Sequence, residues 1–142
     1  MKKHLAVKWM ILIWCMFLVA ACQKNTDTAK EKVPQKDLLQ CMDEYHRILR
    51  PLIHQALPNE DFAAFKKSSQ ALLICAKNLE AAATPEKYGD QKAEIELLTA
   101  GILTKTHSFQ EICQSGSDAD ILDAFIRIHD DYEALADIVY KL

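Results

Sequence analysis

From Asp37 onward apolar side chains recur every three or four positions, the spacing of one helical face, and no run alternates as a strand would. Four segments carry this pattern. Leu38, Met42, Tyr45, Leu49, Leu52 and Ala56 form a stripe that predicts helix one over about residues 35–57. Pro51 lies inside it. Proline removes an N–H and crowds the residue four positions earlier, and because the stripe runs past it, a kink is expected in place of a break. Pro58-Asn59 ends the segment, with Asn59 expected as N-cap of helix two and Glu60 and Asp61 at the favourable end of its dipole. Helix two, about 60–82, places Phe62, Phe65, Ser69, Leu72, Ala76 and Leu79 on one face.

Thr84-Pro85 and Gly89 make the next connection. Helix three, about 90–114, presents Ile95, Leu98, Ile102, Phe109 and Ile112, with Lys105 or Thr106 filling the gap in the stripe. Gln114-Ser115-Gly116 stops it, and Ser117-Asp118-Ala119-Asp120 has the form of a capping box with Asp in the place of Glu. Helix four, about 118–140, steps through Ile121, Phe125, Ile128, Tyr132, Leu135 and Val139. Four helices of similar length joined by short loops predict an all-α domain over residues 37–142, an antiparallel up-down four-helix bundle.

The first 36 residues read differently. Lys2 and Lys3 precede an apolar run from Trp9 to Ala21, ending in Val19-Ala20-Ala21-Cys22. Residues 23–36, QKNTDTAKEKVPQK, are polar apart from Val33 and cannot bury enough surface to offset the cost of ordering, which predicts a flexible tether. A basic start, a short apolar run and small residues form the secretory pattern. The run falls short of the roughly 20 apolar residues that a spanning helix needs, the alternative reading. The small residues before Cys22 resemble the lipobox of a bacterial lipoprotein signal peptide. That resemblance implies cleavage after residue 21, diacylglycerol on the Cys22 thiol and acylation of the new N-terminus, a stable multi-chain anchor. Gln23 in place of Asp implies, by analogy with enteric lipoproteins, an outer-membrane lipid anchor facing the periplasm of a double-membraned bacterium.

Charge narrows the partners. Cleavage removes Lys2, Lys3 and Lys8 and no acid, leaving 14 basic against 20 acidic residues, a charge of −6. That argues against nucleic acid and against a broadly basic face for anionic lipid. The expected partners are the membrane, through the N-terminal lipid, and an envelope protein met by the bundle surface.

Three cysteines remain after Cys22: Cys41, Cys75 and Cys113. Cys41 and Cys75 fall about 24 and 22 Å from the helix one–two loop, each offset about 70–90° to the same side of its stripe. Equal-handed offsets on antiparallel neighbours put both on one seam, so a Cys41–Cys75 disulfide is expected in an oxidising compartment, with two buried thiols as the alternative. Cys113 has no level partner and reads as a small core filler.

The same construction places His46 on helix one and His129 on helix four both about 16 Å from the top of the bundle, on the opposite side of their stripes from the cysteines. Two imidazoles across a seam, with Asp43 and Glu133 one turn away, would form a Zn²⁺ or Cu²⁺ site; a packed or hydrogen-bonded pair is the other reading. His54 and His107 project away from the stripes, towards solvent. Tyr45-His46 on helix one and His129-Asp130-Asp131-Tyr132-Glu133 on helix four are similar in layout to four-helix b-type cytochromes, which implies haem between first and last helices. The histidines here flank the core, and without a C-x-x-C-H motif covalent haem is excluded.

Enzymatic signals are weak. Ser68-Ser69 lack a neighbouring base, and Gly89, Gly101 and Gly116 build no phosphate loop. The reading is a non-enzymatic lipoprotein without an expected cofactor, with a metal- or haem-binding module on His46 and His129 as the alternative.

Overall fold

The four stripes wind into four helices. A computed structural model describes residues 36–141, so the expected signal segment, Cys22 and residues 23–35 of the expected tether lie outside the described residues. Helix α1 spans Leu38–Pro51, α2 Phe62–Glu80, α3 Lys92–Ser115 and α4 Asp118–Tyr140. They form an all-α antiparallel bundle in which α2 packs closely along α3, α3 along α4, and α1 along α2. Among the described residues no helix is long and apolar enough to cross a membrane.

The predicted stripes of α1 and α4 are all buried, from Leu38 to Leu49 on α1 and from Ile121 to Val139 on α4. Phe65 of α2, Phe109 of α3 and Phe125 of α4 meet at the centre. Phe65 lies 4.7 Å from Phe125 and 6.5 Å from Phe109, both edge-on, and Phe109 lies 5.9 Å from Phe125. Edge-to-face contacts suit the quadrupoles of aromatic rings and tie three helices at one level.

The boundaries differ from expectation in instructive ways. Helix one neither breaks nor simply kinks at Pro51. It passes into a π turn, Leu52–Ala56, in which the N–H of Leu57 bonds to the C=O of Leu52 at 2.8 Å. The missing proline N–H disturbs the regular i→i−4 ladder there, and a wider turn carries the chain on. Asn59 does not cap α2. Its amide donates to the C=O of Gln55 at 2.7 Å, closing the first helix, while Asp61 caps the second by accepting from the N–H of Ala64. Between them Glu60 stands at φ 51°, a left-handed backbone rare for a residue with a Cβ.

On α3 the buried face is Ile95, Thr99, Ile102, Thr106, Phe109 and Cys113, with Leu98 and Ile112 only half-buried. Thr106, not Lys105, fills the gap in the stripe, and Thr99 takes a second core position that an apolar pattern does not register. Before α3, Glu86–Gln91 forms a 3₁₀ turn in which Gly89 adopts φ 46°, a conformation for which glycine is suited. At the other end a Cβ on Gly116 would lie 2.7 Å from Ile112 Cγ2 and 2.8 Å from its carbonyl oxygen, so only glycine fits the close turn into α4.

The α4 start matches its sequence signature. Asp120 N–H donates to Ser117 Oγ at 3.2 Å, and the Asp120 carboxylate accepts from Ser117 N–H at 3.0 Å. The Ser117 hydroxyl and backbone N–H hold the Asp120 carboxyl below its ordinary range. A carboxylate with a depressed folded-state pKa stabilises above its unfolded value of about 3.9, and that contribution is lost as pH falls through the folded value. Replacing Ser117 by Ala is expected to cost about 1 kcal/mol in urea denaturation at pH 7. The deficit of Asp120→Asn should narrow in the same measurement once pH drops below about 4.

Candidate functional site at the α1–α4 seam

Helices α1 and α4 hardly approach each other at the backbone, and large flat side chains fill the space between them. Tyr132 of α4 stacks on Tyr45 at 5.7 Å between centroids and 24° between planes, and on His46 at 5.5 Å and 20°. The hydroxyl of Tyr45, fully buried, shares a 2.9 Å hydrogen bond with Thr106 Oγ1 on α3. Tyr132 donates to the C=O of Met42 at 3.4 Å, and Tyr140 donates to Asp43 Oδ1 at 3.1 Å. Tyr88, from the 3₁₀ turn before α3, lies within electrostatic reach of Tyr140 and carries the ammonium of Lys87 4.7 Å above its ring. The four tyrosines of the chain are thus linked in series.

Burial pushes the phenols of Tyr45 and Tyr132 well above the usual tyrosine range, and burial together with the Asp43 carboxylate raises that of Tyr140. A raised pKa keeps these hydroxyls protonated, and those of Tyr132 and Tyr140 donate their hydrogen bonds. Beside them Lys105 of α3 meets Asp131 of α4 at 2.6 Å. Gly101 permits this approach: a Cβ there would sit 3.3 Å from Asp131 Oδ2.

Of the expected metal ligands, His46 and Asp43 contact α4 across this seam, while His129 and Glu133 meet each other along α4. His46 lies flat on Tyr132, and Asp43 accepts from Tyr140. His129 turns along its own helix, Nε2 3.5 Å from Glu133 and Nδ1 3.9 Å from Asp130. Among the described residues no group of three or more His, Cys, Asp or Glu side chains gathers as a metal ion would need. The expected set of His46, His129, Asp43 and Glu133 is therefore not assembled. The helical-wheel construction fixed height and side, but a ring attracted to a neighbouring ring does not point across the gap. His54 and His107 are exposed.

Cys41, Cys75 and Cys113 are free thiols. Cys41 and Cys75 lie within electrostatic reach of each other and share Lys36 and Glu44 as neighbours, but are not joined by the expected disulfide. Desolvation, then the Glu44 carboxylate, raises both thiols, which keeps the reactive thiolate scarce. Lys36 and Glu44 meet at 2.7 Å beside them. Cys113 is buried next to Ser69, whose hydroxyl donates to the C=O of Lys66.

Sequence reasoning missed Tyr88 and Tyr140. Tyr88 belongs to a connecting turn with no periodicity to register it, and Tyr140 is 54% exposed, off the α4 stripe. A scan against protein-family models gives no match, and neither curated proteins nor solved structures supply one.

Tyr88 Oη is buried without a hydrogen-bond partner, so Tyr88→Phe should be neutral or stabilising. Tyr45→Phe strands the Thr106 hydroxyl and should cost about 1 kcal/mol or more. Denaturant midpoints of the two variants are the check; equal losses would contradict the hydrogen-bond assignment.

Proposed function

We propose that the chain is a lipid-anchored envelope lipoprotein, held by Cys22 in the outer membrane facing the periplasm, whose bundle acts without catalysis by binding a protein partner. The anchor rests on the lipobox-like Val19-Ala20-Ala21-Cys22 and the polar stretch that follows. The binding role rests on one observation: Leu97 is 73% and Ile74 52% exposed, each facing directly away from the core.

Ile74 lies about 9 Å from the α2–α3 connection and Leu97 about 8 Å from it, so the two are level on adjacent helices. Ala71 flanks Ile74 on α2, while Ala93 and Ala100 flank Leu97 one turn to either side, all exposed. Small side chains around a protruding leucine leave it accessible on an apolar outer wall. Exposed apolar side chains that form a contiguous patch mark contact with another molecule.

Metabolic labelling with a fatty acid should tag the wild-type chain and leave Cys22→Ala untagged and released from membranes. A photocrosslinking side chain at position 97 should give an adduct of discrete mass in intact cells, lost on Ile74→Glu, with none from position 127 on α4. Because both positions are on the surface, the changes should move stability by less than about 0.5 kcal/mol. Labelling without crosslinking would keep the anchor and discard the binding wall.

A further inference from the structure

The stretch from Tyr45 to Asn59 contains Arg47, Arg50, His46 and His54 and no acid, in a chain whose formal charge is −3. The third arginine of the sequence, Arg127, pairs with Asp123 at 2.8 Å. Arg47 lies near enough to Glu44 to lower its carboxyl. Arg50 is exposed and forms no ion pair among the described residues. Together with Pro51, His54 and Gln55 it lines an open recess of about 450 Å³, a volume in the range of small-ligand sites.

The chemistry of this wall points one way. The guanidinium presents several N–H groups in a planar fork, an imidazole donates an N–H in either protonation state, and the Gln55 amide adds two more. Among the described residues that line it, none is a carboxylate. The backbone contributes the alignment. His54 and Gln55 belong to the π turn that follows Pro51, one turn beyond Arg50, and all three line the same recess. The Asn59 amide holds the Gln55 carbonyl, and the chain then reverses at Glu60 in the left-handed region. The π turn itself supplies two of the residues that line the recess, and such turns concentrate where a ligand is held.

We propose that this recess binds a phosphate group, borne by a soluble phosphate compound or by a phospholipid headgroup, with Arg50 as the anchor and His54 and Gln55 donating to the remaining oxygens. A guanidinium engages two phosphate oxygens at once, which is the specific geometry of this ion pair. The negative charge of the chain opposes a polyanion but not a single phosphate beside a local cation. This site stands on α1 and is independent of the Ile74–Leu97 wall.

The test is an ¹⁵N-resolved NMR titration of the full chain in non-ionic micelles with inorganic phosphate, at constant ionic strength against chloride. Saturable shifts of the Arg50 Nε–H and Gln55 side-chain signals are expected with phosphate alone, and R50Q should bind at least about tenfold more weakly. A second arm dopes the micelles with phosphatidylglycerol. Saturation there at lower phosphate concentration assigns the source to lipid; saturation with inorganic phosphate only assigns it to a soluble compound. Equal shifts with chloride, unchanged binding by R50Q while its helical spectrum is intact, or no saturable shift in either arm would overturn the site.

Discussion

The distance between α1 and α4 constrains much of what this bundle does with its polar side chains. Along α2, α3 and α4, medium-sized residues and three phenylalanines close the core in the ordinary way. On the α1–α4 side the backbones hardly meet, and the stacked rings of Tyr45, His46 and Tyr132 bridge the space. Tyr45 and Tyr132 fill that space, and a stacked pair contributes about 0.5–1.5 kcal/mol beyond the area it buries. A buried phenol must also hydrogen-bond, so the packing solution imposes a polar one. Thr106 occupies a core position on α3 where it meets the Tyr45 hydroxyl, and a main-chain carbonyl of α1 serves Tyr132. The polar groups of the seam thus have their partners within the bundle, Thr106 for Tyr45 and the Met42 carbonyl for Tyr132.

That chain of causes explains how much could be read from residues alone. The period of Leu38, Met42, Tyr45 and Leu49, and of Ile121, Phe125, Ile128 and Tyr132, is dictated by burial, and burial is what periodicity measures. The Ser117 capping box was equally legible because its hydrogen bonds close within four residues. Legibility stops where a partner lies far along the chain. Nothing local in Thr106 announces Tyr45, 61 positions away, and nothing in Asp131 announces Lys105, 26 positions away. His46 shows the limit most clearly. Its height and side on α1 follow from helix geometry, but its direction depends on the ring of Tyr132, and that choice decides between ligand and packed aromatic.

Asn59 and Asp61 make the same point on a smaller scale. Both are good N-cap residues, both precede α2, and local preference favours neither. The π turn decides. By lengthening the first helix past Pro51 it leaves the Gln55 carbonyl within reach of Asn59, which then closes α1 while Asp61 starts α2. Pro51 therefore acts at a distance along the chain, shifting a helix start ten residues later through the number of residues consumed per turn.

Function reads differently from fold because it rests on side chains that the core does not need. Leu97 and Ile74 are exposed, and Arg50 answers no carboxylate among the described residues. They also lie on different helices: one is an apolar wall near the α2–α3 connection, the other a cationic recess on the outer side of α1. A protein surface can afford one apolar patch among charges, but free guanidinium beside open volume and an apolar wall on neighbouring helices serve chemically distinct contacts. If the chain is held at a membrane by Cys22, the recess and the wall need not compete. A phosphate at Arg50 engages the face of α1 through charge, at a range set by the Debye length of about 8 Å, whereas the Ile74–Leu97 wall acts only on direct contact. Salt would weaken the first and leave the second in place, a separation that follows from the physical nature of the two surfaces.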